Sequence, residues 1–216
     1  MSFDLGPIEF HEDVLEAMTV GATSHVDPEF IHIFGKPIEM VRKVVLSKNA
    51  RPFIVAGSGT LGWDMVATNL VKSGENALVI SNGYFGDKFG LCLQNYGAND
   101  TFLHSSTPGD HPSLEAIERE LLLKQYKLIT VTHVDTSTGV LSDIAGIGRL
   151  VHQKFPETLV VADGVCSVGC EEIKFNDFGL DIVLTGSQKA LGARQVDRSL
   201  LLLTGLSKPS SVESPC

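Results

Sequence analysis

Lys189 follows the apolar run DIVLTG, and Asp163 closes the run TLVVA. An amine at such a place can condense with a carbonyl, and a carboxylate at the end of a buried strand can keep a basic nitrogen protonated. A third group lies upstream, where IVA leads through Gly57-Ser58-Gly59-Thr60-Leu61-Gly62 into a helix-like stretch. These letters fit G-x-G-x-x-G, in which glycines allow a tight turn and a helix N-terminus faces an anion. A dinucleotide would also need an acidic residue at the end of the next strand, about 20 residues on. That strand, ALVIS, ends in Ser81-Asn82-Gly83, and Glu75 precedes it. The loop is therefore read as holding a single phosphate through Ser58, Gly59 and Thr60, with Gly62 a packing residue.

Other strand ends add to the set. NGYFGDK places Tyr84 and Phe85 after ALVIS, VDTSTG supplies the hydroxyls of Thr136, Ser137 and Thr138, and Gln188 precedes Lys189. Each residue alone has an ordinary reading: a helix cap for the aspartate, a solvated charge for the lysine, core for Phe85, satisfied turn backbone for the hydroxyls. His25, His32, His104, His111 and His133 are too scattered for a metal set. Together, a phosphate cradle, a flat stacking face, a carboxylate and a lysine meet the needs of pyridoxal 5'-phosphate (PLP), whose aldehyde is held by a lysine and whose ring nitrogen needs an acidic partner. At an effective dielectric near 20, a carboxylate about 4 Å from a pyridinium contributes roughly 4 kcal/mol, or about three pKa units. A helix dipole contributes only about 0.3–1 kcal/mol to an exposed anion, so direct hydrogen bonds must carry much of the phosphate binding.

Positioning these groups requires strands that end together. Strand-like runs at 52–56, 77–81, 100–104, 127–133, 158–162 and 181–185 alternate with amphipathic stretches at 60–72, 84–96, 112–125 and 143–155. Continuous apolar runs such as LVVA suit strands buried on both faces. The expected fold is α/β, a mainly parallel sheet covered by helices on both faces, with ligands beyond the carboxyl ends of the strands. Pro112-Ser113 opens one helix and Asp143 caps another. Residues 1–36 read as an irregular N-terminal arm, 37–205 as the cofactor-binding domain and 206–216 as a disordered tail. The SLLLL run at 199–203 is expected to serve as a further strand beside an exposed sheet edge.

The 216 residues, 43% of them hydrophobic, can bury a full core. A formal net charge of −9 without a basic cluster disfavours a nucleic-acid surface. Cys92, Cys166, Cys170 and Cys216 form neither a zinc pattern nor a secreted disulfide framework, so they read as reduced thiols. The acidic N-terminus resembles neither a signal nor a transit peptide, no run is long enough to span a bilayer, and a cytoplasmic location is the default.

GPIEF, TSHVDPEF, GSGT, NGYFGDK, TSTGVL and TGSQKAL, in this order, resemble the class V PLP-dependent aminotransferases, in particular the alanine–glyoxylate and serine–pyruvate subgroup. The resemblance covers roughly residues 4–193 and implies the large domain of fold type I. It implies that Lys189 holds the cofactor aldehyde and shuttles a proton, that Asp163 pairs with the ring nitrogen, and that Val165 and Phe85 cover the two ring faces. Thr136 would approach the ring hydroxyl, while Ser58, Gly59, Thr60 and Gln188 would surround the phosphate. Asp135 stands where many relatives have Glu, and Phe85 where close relatives often carry Trp. The family's continuation into a small C-terminal domain is not matched after Ala193, so the chain reads as C-terminally truncated. None of Arg42, Arg51, Arg119, Arg149, Arg194 and Arg198 matches by motif the arginine that grips the substrate carboxylate.

The implied reaction is transfer of an amino group from alanine or serine to glyoxylate, in glyoxylate metabolism and glycine formation, by an enzyme that is a homodimer in full-length relatives and in some of them peroxisomal or mitochondrial. Two alternatives stay open: a non-catalytic chain that binds cofactor or partner, and another class V reaction such as elimination or desulfuration. No metal, nucleic acid or membrane is expected.

Overall fold

The structure is a computed structural model that describes residues 9–21 and 23–193 and the backbone of 199–204. The expected tail at 206–216, Cys216, Arg194 and Arg198 lie outside the described residues.

Among the described residues seven strands form one sheet: β1 (Ala50–Val55), β2 (Asn76–Ser81), β3 (Asn99–His104), β4 (Leu128–Thr132), β5 (Leu159–Asp163), β6 (Ile182–Gly186) and β7 (Ser199–Thr204). The order across it is β1-β7-β6-β5-β4-β2-β3. Strands β2 to β6 pair in parallel. Strand β7 is antiparallel to both β6 and β1. Two antiparallel steps cancel, so β1 runs in the direction of β6 and the loops after β1, β2, β4, β5 and β6 leave the same end of the sheet. The exposed edge expected beside SLLLL is corrected here: β7 fills the interior of the sheet, and the edges are β1 and β3.

Alternate residues of each central strand enter two separate cores, as the period of two requires. Leu78, Ile80, Ile129, Val131, Val160, Ala162 and Val183 belong to one, with residues of α5 (Leu114–Leu121) and α6 (Ile144–Lys154). Ala77, Val79, Leu128, Val161, Ile182 and Leu184 belong to the other, with residues of α3 (Leu61–Leu70) and α4 (Tyr84–Asn95). Both faces of the sheet are therefore covered. Ser113 and Asp143 cap α5 and α6 by accepting from Ala116 N (3.2 Å) and Gly146 N (2.7 Å).

The irregular arm is corrected as well. Residues 12–17 form α1 (Glu12–Ala17), and α2 (Pro28–Val44) runs through the boundary placed at 36. Its start was legible in DPE: Asp27 accepts from Glu29 N at 2.8 Å and Pro28 occupies the first turn. Pro37 lies inside the helix. Among the described residues no helix is long and apolar enough to cross a membrane.

Helix α6 approaches the segment before β6 so closely that a Cβ on Gly148 would collide with the Phe178 carbonyl oxygen. Alanine favours a helix over glycine by about 1 kcal/mol, but backbone cannot yield as a side chain can. Gly148→Ala is expected to destabilise by roughly 2–3 kcal/mol, read as a lower urea midpoint with an unchanged slope. An equal or higher midpoint would show that helix propensity wins.

Candidate active site

The loops at the shared end enclose a cavity of about 260 Å³. Ser58, Gly59 and Thr60 line it from the loop after β1, and Phe85 from the first turn of α4 after β2. Thr132, Val134 and Thr136 come from the end of β4, Asp163, Val165 and Cys166 from the end of β5, and Gln188 and Lys189 from the turn after β6. All nine residues singled out in the sequence thus stand around one space, separated by up to 131 positions along the chain.

The glycine loop is packed rather than open. A Cβ on Gly62 would lie 3.3 Å from Leu184 Cδ2, so its absence lets α3 sit close to the sheet, and a Cβ on Gly59 would lie 3.6 Å from Val165 Cγ2. The Ser58 and Thr60 hydroxyls are 2.7 Å apart. With the N-terminus of α3 directly behind them, this donor set suits an anion. The residues after β2 do not suit a ribose: the Asn82 amide turns inward, donating to Ser142 Oγ at 2.9 Å and Val140 O at 3.2 Å.

Asp163 is 4% exposed. Its Oδ2 accepts from Trp63 Nε1 at 2.8 Å and its Oδ1 from Val165 N at 3.0 Å. Burial pushes its carboxyl above the ordinary range, the two N–H donors pull it back, and the charge of Asp135 pushes further up. Two neutral donors orient the carboxyl group without supplying charge, which leaves it oriented and desolvated beside the cavity. Trp63 was missed in the sequence. As the only tryptophan, four residues after Gly59 in the first turn of α3, it falls on the helix side that carries buried Val66 and Ala67. A buried indole N–H needs an acceptor, and that requirement was the available signal.

The turn after β4 divides its polar groups between structure and site. Asp135, fully buried, accepts from Phe85 N (2.8 Å) and Gly86 N (3.1 Å) through Oδ2. Its Oδ1 accepts from Ser137 N (2.9 Å) and Ser137 Oγ (2.7 Å). The carboxylate thereby caps α4 and fixes Phe85 at the cavity. Gly83 makes room for it, since a Cβ there would lie 2.5 Å from Asp135 Cγ. Ser137 and Thr138 serve the turn, the latter donating to Asn82 O at 2.8 Å. Thr136 faces the cavity, its hydroxyl beside Cys166 Sγ.

His133, between two cavity residues, lines a separate cleft with His111 and Glu171. It is 5% exposed, and burial pushes its pKa down to about 4. The unfolded chain takes up a proton near pH 6.5 while the fold resists until about 4, so His133 contributes stability that is lost as pH falls across that window. Asp100, pushed up by burial to about 7, acts in the opposite sense as pH rises through it. Between pH 7 and 4 the wild type should lose about 3 kcal/mol more than His133→Asn. Denaturant midpoints at the two pH values measure this, and parallel losses would dismiss the role of His133.

The sequence matches the family model Aminotransferase class-V over residues 9–196. It is 45% identical over 194 residues to alanine–glyoxylate aminotransferase 1 of Saccharomyces cerevisiae, covering 87% of this chain and 50% of that protein. It is 30% identical to alanine–glyoxylate aminotransferase of Rattus norvegicus, covering 87% and 45%. Among solved structures, alanine–glyoxylate aminotransferase from Nostoc sp. superposes with a TM-score of 0.85 at 28% identity, covering 94% of this chain and 52% of that one. The chain spans about half the length of the curated relatives it matches. On the family match and the identity to the yeast protein, the chain belongs to the class V aminotransferases.

Proposed function

We propose that the cavity holds PLP and serves transfer of an amino group from alanine, or serine, to glyoxylate. The observation that carries this reading is the meeting of Asp163 and Lys189 with the Ser58–Thr60 loop in one cavity. The names of the relatives support the acceptor more strongly than the donor. Alanine, L-aspartate and (S)-ureidoglycine appear as donors in different relatives, whereas glyoxylate is common to all three. Alanine is favoured by the 45% identity to the yeast protein.

When bound, PLP supplies an aldehyde and an electron-accepting ring. The oriented Asp163 carboxylate keeps a proton on the ring nitrogen. Val165 and Phe85 confine the ring faces, Thr136 meets the ring hydroxyl, and Ser58, Gly59, Thr60 and Gln188 hold the phosphate. Lys189 holds the aldehyde and then moves the proton at the substrate Cα. Holding these groups on strand ends supplies the positioning on which such transfers depend.

Exposed apolar side chains on α2, among them Ile31, Ile33 and Met40, support pairing with a second copy. The test of the cofactor is titration of purified protein with PLP while following Trp63 fluorescence and visible absorbance. Saturable quenching with a new absorbance band is expected, and the absence of both changes would remove the reading. An assay with alanine and glyoxylate then separates an aminotransferase from a chain that only holds the cofactor.

A further inference from the structure

A buried hydrogen bond joins α3 to β5, from Trp63 Nε1 to Asp163 Oδ2 at 2.8 Å. The Asp163 carboxyl also has a local donor, Val165 N on Oδ1, two residues along the chain. A carboxyl held at one oxygen can still turn about its terminal torsion, which is broad in aspartate. The second donor, from a different element, removes that freedom. Each oxygen keeps a further lone pair for an occupant of the cavity, whose wall Trp63 and Asp163 both line.

The indole is itself fixed. It is 6% exposed and stacks on Phe89 of α4, with ring centroids 5.4 Å apart and planes 13° from parallel. Trp63 lies in the first turn of α3, directly behind the N-cap residue Thr60. One helical turn therefore ties the carboxyl to the loop assigned to the phosphate, so both ends of a bound ring would be held from the same element.

We propose that Trp63 is a positioning residue of this cavity: its N–H holds the Asp163 carboxylate ready for a protonated ring nitrogen, and the cavity thereby prefers a pyridinium to an uncharged ring of the same shape. The proposal rests on the PLP reading. Burial pushes the Asp163 carboxyl up, and the Val165 and Trp63 N–H groups pull it back. Loss of the indole donor therefore favours the neutral acid, which attracts a pyridinium far less than a carboxylate does. A side chain that only filled space would affect charged and uncharged rings alike.

The experiment compares PLP with its analogue in which the ring nitrogen is replaced by C–H, each bound to the full chain and measured by equilibrium dialysis. Wild type should bind PLP more tightly than the analogue. In Trp63→Phe that preference should fall about tenfold, in line with the loss of a hydrogen bond to a charged group. Because Trp63 is the only tryptophan, incorporation of β-(3-benzothienyl)alanine in its place exchanges the N–H for sulfur and keeps the bicyclic shape. That protein should lose the preference to the same extent. An unchanged preference in both altered proteins, or equal losses of affinity for PLP and the analogue, overturns the role of Trp63 and leaves the PLP reading standing. A preference lost in Trp63→Phe but kept by the benzothienyl protein assigns the effect to packing and overturns it equally. Wild type that binds PLP and the analogue alike shows that the ring nitrogen is not recognised, which also overturns the proposal. Wild type that binds neither removes the PLP reading with it.

Discussion

Lys189→Ala is expected to abolish borohydride trapping of PLP: intact-mass analysis should find one pyridoxyl phosphate per reduced wild-type chain and none in the variant. Lys189 provides the only amino group among the cavity residues, and it follows directly on Gln188, which is 8% exposed. Truncation removes the amine while leaving the phosphate loop, Asp163 and the ring walls in place. The variant should therefore still quench Trp63 with PLP, which distinguishes loss of the covalent attachment from loss of the fold. Exchange of the alanine Cα proton with solvent, catalysed by the loaded protein, should fall by about 10²–10⁴-fold, the usual range for a positioned general acid or base. Undiminished trapping in Lys189→Ala would transfer the role to another lysine, of which Lys88 is the nearest in sequence to a site residue.

What is legible in the amino-acid sequence, and what is not, has physical causes. Strands β4, β5 and β6 are buried throughout or nearly so, so their apolar runs were unmistakable, and groups at their ends could be collected by the rule that open sheets bind at carboxyl ends. Helix α2 was obscured because residues 1–36 read as an irregular arm, and a helix that buries none of its residues tolerates the imperfect interior that Gly35 and Pro37 give it. The place of β7 was hidden because strand order is a non-local property: nothing in SLLLL distinguishes an edge from an interior position, and only pairing with both β1 and β6 settles it. Trp63 and Cys166 were passed over for a different reason. Each is ordinary core composition until a partner appears, and those partners, Asp163 and Thr136, lie 100 and 30 positions away.

Asp163→Asn should weaken PLP binding by about 10³-fold, measured through Trp63 quenching. In the wild type the desolvation of the carboxylate is already borne by the unloaded fold, where Trp63 and Val165 orient it without supplying charge. A cationic ring therefore gains the attraction without a fresh orientation cost. At an effective dielectric near 20 that attraction is roughly 4 kcal/mol, and each 1.4 kcal/mol is tenfold in affinity. Asparagine keeps the shape but can accept with only one oxygen, so one of the two N–H donors loses its partner, at about 1–3 kcal/mol. Relief of the buried charge offsets that loss in the unloaded protein. Because burial raises the Asp163 carboxyl, the folded state holds a proton to higher pH than the unfolded chain. Unloaded wild type consequently loses stability as pH rises from the ordinary carboxylate value of about 3.9 through the raised one, and Asp163→Asn should lack that loss. The same titration governs binding in the opposite direction. PLP affinity of the wild type should fall as pH drops through the raised value, whereas the affinity of Asp163→Asn should show no such dependence on Asp163. Equal affinities in the two proteins, with matching pH profiles, would mean that the ring nitrogen does not meet this carboxylate.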